Sequence, residues 1–101
     1  MDWEEQQKLN NDRANNPQVG DVWIEMLAPV FKVIQVDETT VVVQKPRYLE
    51  DGKHWTWENG EIRSMTREEF KCYLSYDRVP GYWARVMLPD KSVDVGVMSN
   101  Y

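Results

Sequence analysis

Between residues 19 and 44 the chain reads V-G-D-V-W-I-E-M-L-A-P-V-F-K-V-I-Q-V-D-E-T-T-V-V-V-Q. Three runs of strand-forming residues are broken at Ala28-Pro29 and at Asp37-Glu38-Thr39-Thr40, the punctuation of a tightly turned antiparallel sheet. Val22, Ile24 and Met26 alternate with Trp23 and Glu25, as in a half-buried strand. In the second run, apolar residues from Val30 to Val36 fall on both faces. The third run, Val41 to Lys45, is ended or confined to an edge by Pro46. With 101 residues and a hydrophobic fraction of 42%, the chain can bury one modest core. The expected fold is therefore mainly β (α+β): residues 19–101 form one barrel-like antiparallel domain.

Residues 1–18 differ in kind. They are polar, with four Asn and no Val or Ile before Val19. Asp2 and Glu5 form a D-x-x-E start signal for a short helix from residue 3 to about residue 13, and Asn15-Asn16-Pro17 ends it. Its large apolar residues, Trp3 and Leu9, are too far apart in phase for a 3.6-residue stripe. Such a helix forms by docking on something; without that it is disordered.

Beyond the first sheet, residues 46–54 read as a loop turning at Asp51-Gly52. Asn59-Gly60 predicts a two-residue hairpin joining 55–58 to 61–65, with Trp57 opposite Ile62 and Thr56 opposite Arg63. Thr66-Arg67-Glu68-Glu69 is a capping box, and Met65 and Phe70 fit a hydrophobic staple. The inserted helix is expected over 66 to about 76, with Phe70, Tyr73 and Leu74 on one face. Residues 82–88 alternate as a last strand, and Val93, Val95 and Val97 suggest an edge strand in the tail.

Net charge is −5, from 17 acidic and 12 basic side chains. The overall field thus does not draw the chain to nucleic acid or anionic lipid. No apolar run is long enough to span a bilayer, and the acidic start is not a secretory signal. One cysteine, Cys72, excludes an internal disulfide and fits the cytoplasm. One histidine, His54, and one cysteine leave too few ligands for the common zinc sites. A Cys72–His54 dyad would require the helix to fold over the strand after His54. The plainer reading is a helix-flank thiol and a surface imidazole. No phosphate-binding or nucleophile-elbow motif is present, so the expectation is no catalytic residue, no metal and no cofactor.

Two surfaces remain as binding candidates. Tyr76, Arg78, Tyr82 and Trp83 flank a Pro-Gly turn in the composition of protein-interaction hot spots. The alternative is single-stranded nucleic acid bound by Lys45, Arg47, Tyr48, Lys53 and Trp55, with His54 and Trp57 nearby, bases stacking on rings and cations following phosphates. Glu50, Asp51 and Glu58 interrupt that cluster, and the face shared by Trp55, Trp57 and Ile62 is better explained by core packing.

The opening V-G-D-V-W, Pro29, the run from Val30 to Val36 and Val41-Val42-Val43 resemble the start of SH3-like barrels. The resemblance is to small bacterial and phage-encoded domains that begin with a G-D-x-[WY] strand, and it covers residues 19–44. It implies a partly open SH3-like barrel, here with an inserted helix, and a non-enzymatic role in binding another protein. It supplies no catalytic residues.

Overall fold

Asp37 closes a tight turn between two strands. Its Oδ1 accepts hydrogen bonds from the Thr39 and Thr40 amides at 2.9 and 2.7 Å, which holds its carboxyl below the usual range. This side-chain turn joins β2 (Ala28–Val36) to β3 (Thr40–Gln44). The structure, a computed structural model, describes residues 2–26, 28–76 and 81–88. The other elements are α1 (Trp3–Asn15), β1 (Val22–Glu25), β4 (Arg47–Tyr48), β5 (Trp55–Thr56), β6 (Ile62–Thr66), α2 (Arg67–Leu74) and β7 (Arg85–Met87). The expected tail strand in 89–101 lies outside the described residues.

The five longer strands form one antiparallel sheet in the order β6-β3-β2-β1-β7, and β4 pairs with β5 in a separate ribbon. The protein is a small α+β fold, mostly antiparallel sheet with two helices. Among the described residues the sheet is not closed: β6 and β7 stand at opposite ends.

Both helices pack on one face of the sheet. Trp23, Phe31, Val33, Val41, Val43 and Val86 meet Ala14, Phe70 and Leu74 there in the main core. On the other face, Val22 and Ile24 meet Trp55 in a smaller cluster with Trp57 and Met87 at its rim. β1 is thus buried on both faces rather than half-buried: the helices cover the Trp23 face, and Trp55 of β5 covers the Val22 and Ile24 face. Trp55 could not be assigned that task from local pattern.

Two turns depart from the sequence reading. β2 begins at Ala28 and contains Pro29, so the β1–β2 turn comes between Glu25 and Ala28, not at Ala28-Pro29. Pro29 is tolerated because it sits near the strand start, at the register shift between Trp23 and Ile24. Met26 takes positive φ, 55°, to make this turn. Nor does Asn59-Gly60 make a hairpin. β6 pairs with β3, Val41 opposite Met65 and Val43 opposite Arg63, while β5 pairs with β4. A five-residue ladder on β3 offers β6 more hydrogen bonds than the two residues of β5. Trp57 through Gly60 instead form a turn closed by Gly60 N to Trp57 O, and the Gln44 amide clamps the Trp57 carbonyl at 2.7 Å. Glycine is required at position 60 by proximity: a Cβ there would lie 1.9 Å from the Lys45 carbonyl oxygen.

The capping box at α2 is as expected. Thr66 Oγ1 accepts from the Glu69 amide, and the Glu69 carboxylate accepts from the Thr66 amide, both at 3.0 Å. The helix ends at Leu74, two residues earlier than expected, at a Ser75 cap. Thr66→Ala should cost about 0.5–2 kcal/mol, read by denaturant unfolding. An unchanged midpoint would remove the cap from the stability of this helix.

α1 docks by amides rather than by an apolar stripe. Asp2 caps it, accepting from the Glu5 amide at 2.8 Å. Gln6 and Asn10 then take up the outer edge of β7: Gln6 donates to the Val86 carbonyl, and Asn10, fully buried, accepts from the Val86 amide at 2.9 Å. Gln7 accepts from the Tyr82 amide and Asn11 from the Tyr82 hydroxyl. Positions 6, 7, 10 and 11 share one helix face, so the helix covers a strand edge with side-chain amides.

Candidate interaction surface

The β4–β5 ribbon carries the basic and aromatic residues considered for nucleic acid. Arg47 lies opposite Thr56 and Tyr48 opposite Trp55. Asp51 organises the connecting loop: its Oδ1 accepts from the Lys53 and His54 amides at 2.9 Å, and its Oδ2 meets His54 Nδ1. Those amides and the imidazole hold its carboxyl down at about 2. Lys53, Arg47 and Tyr48 are exposed, while Lys45 is half-buried. Trp55 is only 7% exposed, with its ring edge-on to Trp57 at 4.9 Å. The Trp57 ring carries the Lys32 ammonium 4.9 Å from its centroid, a cation–π contact. Arg47 donates to the Glu58 carbonyl at 3.1 Å. The two indoles thus pack inward, and the ring presented beside the basic residues is Tyr48.

At the C-terminal end of α2 the aromatic residues are arranged differently. Tyr73 stacks at a tilt on Phe31 and edge-on to Trp83, at 6.0 and 5.6 Å. Trp83 Nε1 donates to the Tyr73 carbonyl at 2.7 Å. Tyr73 and Tyr76 nonetheless remain 48% and 45% exposed. The segment is braced by Ser75 bridging to Tyr82 and by the Tyr76 amide donating to the Gly81 carbonyl. Of the residues singled out in sequence, Tyr76 and Trp83 belong to this surface. Tyr82 belongs to the core, its ring beside Trp23 and its hydroxyl on Asn11, where burial pushes its pKa up. Arg78 lies outside the described residues. Tyr73 joins the surface although sequence grouped it with the packing face of Phe70 and Leu74. Its position three residues before Tyr76, at the end of α2, is the one sequence signal that linked them.

Beside Tyr73 runs a groove of about 510 Å³ between β6 and α2, lined by Arg63, Ser64, Met65, Glu69, Cys72 and Tyr73. Cys72 is exposed there, and His54 is not among the lining residues. A second hollow of about 380 Å³ lies over Asp12, Arg13, Asn16, Gln18 and Val19, where the Arg13 guanidinium is engaged by the buried Asp21 at 3.2 Å. Among the described residues, no three His, Cys, Asp or Glu side chains come together as metal ligands would. No helix among them is long and apolar enough to cross a membrane.

No protein-family model matches the chain, and no characterised protein or solved structure matches it. The reading of the site therefore rests on its own geometry.

Proposed function

We propose that this protein is a non-enzymatic binding module that engages another protein through Tyr73, Tyr76 and Trp83. The observation that carries the reading is the pairing of exposure with rigidity. Tyr73 is held by ring contacts with Phe31 and Trp83 and by the Trp83 indole hydrogen bond to its carbonyl, and the Tyr76 backbone is braced by its amide's bond to the Gly81 carbonyl beside the Ser75–Tyr82 bridge. Rigid aromatics lose little entropy on binding, which is why hot spots favour them. The likeness of residues 19–44 to small bacterial and phage-encoded SH3-like domains supports this reading. It extends the proposal to a cytoplasmic accessory factor, phage- or mobile-element-encoded, built on a partly open SH3-like barrel.

A photo-crosslinking residue at position 76 should capture one protein from an extract of the source cell, and the same group at exposed Val19 should not. Tyr73→Ala should weaken that complex by about 2 kcal/mol, roughly thirtyfold. Equal capture from both positions would overturn the surface. Tight binding of a labelled single-stranded oligonucleotide at physiological salt, lost on Arg47→Ala, would replace the reading with nucleic-acid recognition through the β4–β5 ribbon.

A further inference from the structure

We propose that β6 is a dimerisation edge, pairing antiparallel with β6 of a second copy of this chain about a two-fold axis at Ile62. Among the described residues β6 ends the sheet, with β3 on one side and nothing on the other. The bonds to β3 fix which main-chain groups face outward. The Lys45 amide donates to the Glu61 carbonyl and the Arg67 amide to the Thr39 carbonyl. With Val43 opposite Arg63 and Val41 opposite Met65, the residues directed at β3 are 61, 63, 65 and 67. In an antiparallel ladder the alternate residues, Ile62, Ser64 and Thr66, direct their amides and carbonyls away. The outward amide of Thr66 is used by the α2 capping box. Ile62 and Ser64 remain, a short template for another strand.

The side chains select the partner and the register. Ile62 is 60% exposed, so its aliphatic side chain gains by covering. Glu61 and Arg63 flank it, bonded to each other at 2.9 Å and both more than half exposed. In a two-fold pairing centred on Ile62, Ile62 meets its own copy as a hydrogen-bonded pair. Glu61 then lies opposite the other copy's Arg63, and Arg63 opposite the other copy's Glu61, in the closer non-hydrogen-bonded positions. One symmetric contact thus forms two main-chain hydrogen bonds, one apolar pair and two ion pairs. Shifting the centre to Arg63 would oppose the two guanidiniums, and shifting it to Ser64 would call on the Thr66 amide that the cap already uses. This edge is separate from the aromatic contacts proposed for a protein partner, so either can fail without the other.

Sedimentation equilibrium over a concentration series into the millimolar range should show a reversible monomer–dimer equilibrium. Glu61→Arg should raise the dissociation constant by about tenfold or more by opposing like charges. The double variant Glu61→Arg/Arg63→Glu, which restores both pairs in reverse, should bring it back. In a Cys72→Ser background, Ile62→Cys should form an intermolecular disulfide under mild oxidation, because facing residues of a hydrogen-bonded pair fall within disulfide reach. A monomer at every concentration would overturn the proposal. So would a dimer indifferent to both charge variants, provided their circular dichroism matches the parent. Slow hydrogen exchange of the Ile62 and Ser64 amides in a monomer would assign the edge to another segment of the same chain and overturn it equally.

Discussion

Arg13→Ala should destabilise the protein by about 3–5 kcal/mol at neutral pH, because it strands a buried charge. Asp21 is completely buried between α1 and the start of β1. Its carboxylate is held by Arg13 at 3.2 and 3.4 Å and by the Gln18 amide at 3.1 Å. Its own carbonyl accepts from the Val33 amide at 2.8 Å, so the same residue ties the helix to the sheet. Burial pushes the Asp21 pKa up, while the Gln18 amide and the Arg13 guanidinium pull it back. The sign of the pH dependence follows. A carboxyl whose folded pKa lies above its unfolded value binds its proton more readily when folded. Its contribution to stability therefore falls as pH rises from the ordinary aspartate range through the folded value. Removing Arg13 widens that window. The cost of Arg13→Ala should therefore be largest at neutral pH and shrink on acidification, and Arg13→Ala/Asp21→Asn should recover part of it. Urea unfolding of the four cycle members at two pH values measures this. A loss under about 1 kcal/mol, independent of pH, would reduce the pair to an ordinary surface bridge.

Trp23→Ala should cost about 3–5 kcal/mol, a large share of the roughly 5–15 kcal/mol that holds such a domain together. Trp23 is wholly buried in the main core, edge-on to Phe70 at 6.2 Å and tilted against Tyr82 at 6.3 Å. It touches both the inserted helix and the segment that α1 docks on, so its cavity would loosen three elements together. Trp23→Phe, which leaves a smaller cavity, should cost less. The same truncation at Trp57 should cost less than at Trp23, since Trp57 sits half-buried at the rim of the second cluster. The comparison by denaturant unfolding is direct: a Trp57→Ala loss as large as that at Trp23 would move the centre of the core to the β4–β5 side.

Signals that act within one turn of chain were readable without the structure. The Asp2 and Thr66 caps, the turn at Asp37 and the alternation of Tyr82, Ala84 and Val86 each depend on residues a few positions apart, and all formed where local chemistry put them. Asn59-Gly60 misled because its hairpin preference is worth less than the β3 ladder, which lies fifteen or more residues away in sequence. The docking of α1 was hidden because Gln6, Gln7, Asn10 and Asn11 read as solvent residues until the Val86 and Tyr82 backbone is placed against them. The sequence by itself thus determined where the two helices start and that antiparallel pairing would dominate, since these follow from short-range sterics and hydrogen bonds. Only the tertiary structure decided which strand pairs with which, that β1 is buried on both faces, and that Asp21 and Asn10 lie inside. Those outcomes depend on long-range burial and on partners for polar groups, for which no local pattern exists.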